Sequence, residues 1–161
     1  MNRKWKVNCV DFMVRQAVIT DVERLASVFD AYRVHFGQQS RRQEAEEFLF
    51  QRFEHRESII FVAEGNGQIL AMAQLYPAFS SLTLQRIWIL NDFFVVEDVR
   101  SRGVGRRLLA AVKEFSLASR AKGIELSVEH TNARAWAFWE REGFLRDEEF
   151  RYYIWKASQH R

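Results

Sequence analysis

The chain has 161 residues, of which 48% are hydrophobic and 14% aromatic, with only 7 Gly and 1 Pro. This excludes low-complexity disorder and fits about one domain with a sizeable core. A formal net charge of +3, from 24 Lys+Arg against 21 Asp+Glu, is too mild and too scattered to point to a nucleic-acid partner. Apolar runs such as Ile59–Ala63 fall far short of the ~18 residues that a membrane span needs, so no membrane partner is expected either.

The chain opens on a basic stretch, Arg3, Lys4 and Lys6. Asn8 and Asp11 interrupt the apolar residues that follow, so no secretory leader is read and a cytoplasmic location is expected. The single cysteine, Cys9, makes no internal disulfide, and no His/Cys spacing suggests a metal.

Val14–Val18 reads as a short strand. Thr20-Asp21-Val22-Glu23 has the form of a capping box, and Val22, Leu25, Phe29, Tyr32 and Phe36 then mark one face of a helix that Gly37 stops. Ser40-x-x-Gln43 is a second capping box, opening a helix through Ala45, Phe48, Leu49 and Phe53 that His55 and Arg56 close. Ile59–Glu64 and Ile69–Tyr76 are strands joined by Gly65-Asn66-Gly67-Gln68, a hairpin turn. Gln85–Val96 is a longer strand. Beyond a glycine cluster, Leu108, Val112, Phe115 and Ser119 keep helical spacing up to Gly123, the expected C-terminal cap. Ile124–Val128 is a further strand, Asn132 caps a helix that stops at Gly143, and Phe144–Leu145 and Phe150–Trp155 read as two closing strands.

The order is therefore β α α β β β α β α β β, an α/β chain with a mixed sheet. It forms one domain over residues 1–161, with its core at about 14–156, and no linker divides it. The unit from Trp88 to Val128 is a crossover between parallel strands.

One constellation carries chemistry. Arg100-Ser101-Arg102-Gly103-Val104-Gly105-Arg106-Arg107 places four arginines and two glycines between a strand and a helix. Glycines let a ligand approach the backbone, and the first helical amides carry partial positive charge, so a small, multiply anionic ligand fits here. A Walker A loop is excluded because its Lys and Ser/Thr are missing, and Leu108 stands where a dinucleotide fingerprint needs Gly or Ala. The alternative is an ordinary tight turn with solvated arginines.

The segment Asn132-x-x-Ala135-x-x-Phe138-Trp139-x-x-x-Gly143-Phe144 follows the next strand. With Arg100-x-x-Gly103-x-Gly105 before it, the chain resembles the GNAT superfamily of acetyl-CoA-dependent N-acetyltransferases over essentially Val14–Trp155. The resemblance implies a central splayed strand pair and acetyl-CoA as co-substrate, with the pyrophosphate on Arg102, Gly103, Val104, Gly105, Arg106 and Arg107. It further implies that Phe94, Val95 and Val96 pair with the pantetheine arm, that an amide near Phe94 polarises the thioester, and that Asn132 and Phe138 line the thiol end. Family members commonly carry Tyr where Trp139 stands, and indole cannot protonate a thiolate.

An amine nucleophile must be neutral, so a base is useful. Asp92, in a run that is otherwise apolar except for Asn91, is the candidate, and burial would raise its pKa. Its alternative role is to hold backbone amides at a strand irregularity. Glu129 is the second choice. Tyr32, Phe36, Tyr76 and Ser80 are expected around the acceptor, although Tyr32 and Phe36 also lie on the helix's core stripe. The expected reaction is direct acetyl transfer to a primary amine in a ternary complex, a small-molecule amine rather than a protein. An acyl-CoA-binding sensor without turnover, favoured by Trp139, is the alternative. A homodimer through exposed apolar edges such as Phe150–Trp155 is a further expectation.

Overall fold

The structure is a computed structural model, and it describes residues 11–157. The basic start and Cys9 lie outside the described residues. Five strands form one sheet in the order β1-β2-β3-β4-β5: β1 (Met13–Gln16), β2 (Ile59–Gly65), β3 (Gln68–Ser80), β4 (Gln85–Val95) and β5 (Gly123–Glu125). The first four pair antiparallel, and β5 joins β4 in parallel. The helices are α1 (Val22–His35), α2 (Arg42–Glu54), α3 (Val104–Ala118) and α4 (Ala133–Arg141). The chain falls into two compact units, one ending at Ser127 and the other starting at Val128.

Strand alternation assigns each face of the sheet to a different helix layer. Ile60, Val62, Met72 and Phe94 pack with Leu25, Ala26, Val28 and Phe29 of α1 and with Ala45 and Leu49 of α2. On the opposite face, Phe61 and Trp88 set their rings 5.4 and 5.0 Å from that of Phe115 on α3. Val104, Leu108, Leu109 and Val112 of the same helix are buried. The β2–β3 turn has Asn66 and Gly67 at φ +52° and +73°, the positive pair that a tight hairpin requires.

Several expected details form differently. Neither capping box forms: no side-chain cap bond is made at the start of α1 or of α2. A 3₁₀ turn, Ile19–Asp21, precedes α1, and Asp21 accepts from the Val18 amide at 2.9 Å. At the start of α2, Ser40 donates to Asp30 at 2.6 Å and the Arg41 amide donates to the same carboxylate at 2.9 Å. Gly123 is not a cap: Arg120 at φ +54° ends the helix, with the Ala121 amide donating back to Ser116 at 3.1 Å, and Gly123 opens β5.

The two closing strands, Phe144–Leu145 and Phe150–Trp155, do not form among the described residues. Their composition favours strands, but a strand exists only with a neighbouring ladder. Here the Asp147 carboxylate takes the Glu149 and Phe150 amides into a local turn, and Tyr153 beyond it is 90% exposed. Asn132 does cap α4, accepting from the Ala135 amide at 3.0 Å, and Gly143 follows its end at φ +88°.

Candidate active site

Strand β4 positions both halves of the candidate site in the first unit. It pairs with β5 only from Ile87 to Ile89 and runs on to Val95, so its upper edge is open toward the end of β5. This is the splayed pair. On its other edge, the Val96 amide donates to Leu70 at 3.0 Å. Antiparallel pairs alternate, so Phe94, in register with Met72, also turns its amide toward β3. The main-chain groups that point away from β3 are therefore those of Phe93 and Val95, one residue to either side of Phe94, and the Val95 carbonyl accepts from Arg100. Val96 has its main chain committed to Leu70 and Val99.

At the top of β4 the chain turns through a 3₁₀ turn, Glu97–Val99, into the glycine cluster. Gly103, at φ +82°, is the N-cap of α3. A Cβ on Gly105 would meet Val95 Cγ2 at 3.2 Å, so glycine lets the first turn of α3 rest on the end of β4. Arg100 braces the loop, donating from Nε to the Val95 carbonyl at 2.9 Å with its guanidinium 5.4 Å from the Phe94 ring. Arg107 folds over the Phe12 ring at 4.5 Å, and Arg102, Arg106 and Arg107 are all exposed. A left-handed glycine, a helix whose first amides lack intrahelical partners, and exposed guanidinium groups fit the pyrophosphate of a coenzyme A thioester.

One register step further down, β4 bulges. Gln74 faces Asp92 and Leu75 faces Leu90, which leaves Asn91 as the extra residue. The bulge exchanges the two faces of the strand. Trp88 lies under α3, but Asp92 points to the α1–α2 side, where it is only 5% exposed. Gln74 Nε2 donates to Asp92 Oδ2 at 2.8 Å and Asn91 Nδ2 donates to Oδ1 at 3.2 Å, while the Tyr32 phenol lies beside the same carboxylate. All three groups are neutral. Burial is the largest influence on Asp92 and raises its pKa, against the lowering effect of these bonds. Burial first, and then the Asp92 charge, drives the Tyr32 phenol well above its ordinary range and pushes Tyr76 up to about 12.

Gln74 is the hub of this cluster. It accepts from Ser58 at 3.2 Å and donates to the Tyr76 hydroxyl at 2.9 Å, an arrangement that turns its amide nitrogen toward Asp92. The Arg52 guanidinium lies near enough to the Tyr76 hydroxyl to lower its pKa, against the effect of burial. Around the acid, the Tyr32 ring lies 5.0 Å from Phe36 and 6.0 Å from Phe94. The structure thus brings Tyr32, Phe36 and Tyr76 together with Asp92. Ser80 stands apart, closing the β3–β4 turn by accepting from the Thr83 amide at 3.3 Å. Gln74, Ser58 and Arg52 were not anticipated. Gln74 had a signal, as the one polar side chain in the run Ile69–Leu75.

In the second unit, Glu129 and His130 are exposed in the turn before α4, and the Glu129 carbonyl accepts from Trp136 Nε1 at 3.0 Å. Asn132 spends its side-chain oxygen on the cap. Phe138 and Trp139 pack edge to face at 4.9 Å, and Trp139 meets Phe144 at 5.2 Å.

Residues 25–144 match the family model described as the acetyltransferase (GNAT) family. The chain is 43% identical over 140 residues to an uncharacterized N-acetyltransferase of Bacillus subtilis (strain 168), YhfO, across 87% of this chain and 94% of that one. A crystal structure of a probable acetyltransferase superposes with a TM-score of 0.85 at 34% identity, covering 89% of this chain and 97% of its own. A predicted acetyltransferase from Clostridium acetobutylicum, solved with acetyl-CoA, superposes with a TM-score of 0.71, covering 89% and 96%. At 16% identity, that last likeness is one of fold. The chain belongs to the acetyltransferase (GNAT) family, and it is an acyltransferase of the N-acetyltransferase type.

Proposed function

We infer that this enzyme transfers the acetyl group of acetyl-CoA to a primary amine of a small molecule, directly and in one ternary complex. The observation that carries the reading is the buried Asp92 carboxylate, set by a bulge beside the open edge of β4 and one strand end away from the glycine-opened α3. Gly103, Val104 and Gly105 would hold the pyrophosphate with Arg102 and Arg106, and the open edge at Phe93 and Val95 would receive the pantetheine arm. Bound there, the thioester supplies the acyl group and a good leaving thiol.

The remaining chemistry belongs to this chain. Asp92 takes a proton from the acceptor nitrogen, directly or through one water, because an alkylammonium is not a nucleophile. Its raised pKa brings it closer to the range in which a carboxylate both accepts and releases a proton. Gln74 and Asn91 hold both carboxylate oxygens in place. The rings of Tyr32, Phe36 and Tyr76 offer their faces to a cationic amine and keep bulk water from the acid. Trp139 does not serve as an acid.

The test pairs binding with turnover. Calorimetric titration with acetyl-CoA should give micromolar one-to-one binding, and a panel of primary amines should then release thiol only when both substrates are present. Binding without amine-dependent thiol release would overturn the reading.

A further inference from the structure

The cluster around Asp92 contains a second charge that acetyl transfer does not use. Arg52, in the last turn of α2, lies at 2.6 Å from Glu57 Oε2 through its Nε. That Nε is buried and has no in-line hydrogen bond, so the close approach to Glu57 is a contact of charges at a poor angle. The guanidinium carbon sits 4.6 Å above the Phe48 ring, and its charge acts on the Tyr76 hydroxyl. The same hydroxyl accepts from Gln74 Nε2, which donates to Asp92. A cation and an anion thus flank one phenol and one amide, and neither has its full complement. Asp92 has two neutral donors, Gln74 and Asn91, with the neutral Tyr32 phenol beside it and no cation among the described residues. Arg52 has a misaligned carboxylate from Glu57, whose side chain is 48% exposed at the rim.

Two opposite charges that share the Gln74–Tyr76 pair, one held by neutral groups and the other by a single misaligned carboxylate, are complementary to a zwitterion. A planar guanidinium matches a carboxylate through paired N–H donors, a match that the single Nε contact to Glu57 leaves unmade. A polyamine, by contrast, would meet the Arg52 charge with its second ammonium. Resting on the amine-acetyltransferase reading above, we propose that the acceptor is an amino-acid-like zwitterion: its amine addresses Asp92 while its carboxylate replaces Glu57 on Arg52. The Glu57 carboxylate occupies the acid subsite in the free enzyme and swings out to solvent when the acceptor enters. The transfer itself is unchanged. The C–N bond forms and the C–S bond breaks; of the two protons the acceptor ammonium loses, one goes to solvent and one balances the departing thiolate. The acceptor's carboxylate takes no part in the bond changes.

The test uses matched acceptors, each amino acid against the amine left when its carboxylate is removed: L-lysine with cadaverine, L-phenylalanine with phenethylamine, and L-phenylalanine amide as the neutralised form. Wild-type kcat/KM should favour the acid by at least tenfold in the pair that reacts. Arg52→Gln should erase that preference, bringing the ratio of acid to amine kcat/KM to about one. Glu57→Gln should act in the opposite direction, lowering the KM of the acid several-fold and tightening its binding in a calorimetric titration without acetyl-CoA. Acetyl-CoA affinity should be the same in all three proteins, which establishes that the variants are folded. A wild type that prefers the decarboxylated amine, or an Arg52→Gln variant that slows acid and amine alike, overturns the proposal and leaves the acetyltransferase reading standing. Absence of thiol release with every amine overturns both.

Discussion

Burial raises the pKa of the Asp92 carboxyl, and no cation offsets that at neutral pH. A folded-state pKa above the unfolded value means that folding disfavours the ionised form, and stability declines as pH rises through the folded pKa. Asp92→Asn keeps the shape and removes the buried charge, so its melting temperature at pH 7 should equal or exceed that of the wild type. Turnover should fall about 10²-fold or more, the usual contribution of a positioned base. A variant that melts lower and turns over normally would mean the carboxylate is structural. Asp92 was legible in the sequence because one acid in an apolar run has to be explained. Arg52 was not, because an arginine among the charges of an amphipathic helix reads as a solvated face until the phenol beside it is seen.

At the scale of elements, the strand–glycine–helix junction does the positioning. A Cβ at Gly105 would press on Val95 at 3.2 Å, so Gly105→Glu should strain the α3–β4 contact and bring negative charge to the anion site. Acetyl-CoA affinity, read by calorimetry, should fall more than tenfold, which is a loss above ~1.4 kcal/mol. Affinity within about twofold of wild type would contradict the assignment of this loop. The junction was readable from spacing alone, as was the β2–β3 hairpin, where Asn66-Gly67 permits little else. The bulge at Asn91 was not, because a one-residue slip between strands leaves no mark on either strand's composition. Yet it decides which face Asp92 enters. The closing strands show the opposite error: apolar and aromatic residues were present, but no ladder forms at them among the described residues.

Over the whole molecule, a second ionic group holds the far end of the sheet. Arg15 of β1 bonds both Asp21 oxygens, at 2.7 and 2.8 Å, and reaches Glu64 of β2. Arg24 of α1 bonds Asp21 and Glu64, each at 2.6 Å. The Arg15 hydrogen bonds, more than any other contact, hold the Asp21 carboxyl well below its ordinary range, and Arg24 and Arg15 do the same for Glu64. A depressed folded-state pKa stabilises above the unfolded value and is lost as pH falls through the folded one. Acid unfolding should therefore begin below about pH 4. Asp21→Asn should cost about 1–3 kcal/mol at pH 7 in denaturant titrations and flatten that acid limb. An acid limb of unchanged steepness would show the network to be marginal.

The most direct measurement is the pH dependence of kcat/KM for amine acetylation in wild type and Asp92→Asn, with acetyl-CoA saturating. If Asp92 takes the acceptor's proton, wild-type activity falls on the acid side as its carboxylate is protonated, and the variant, far slower, loses that limb. Two profiles of the same shape and height would contradict a base at this position.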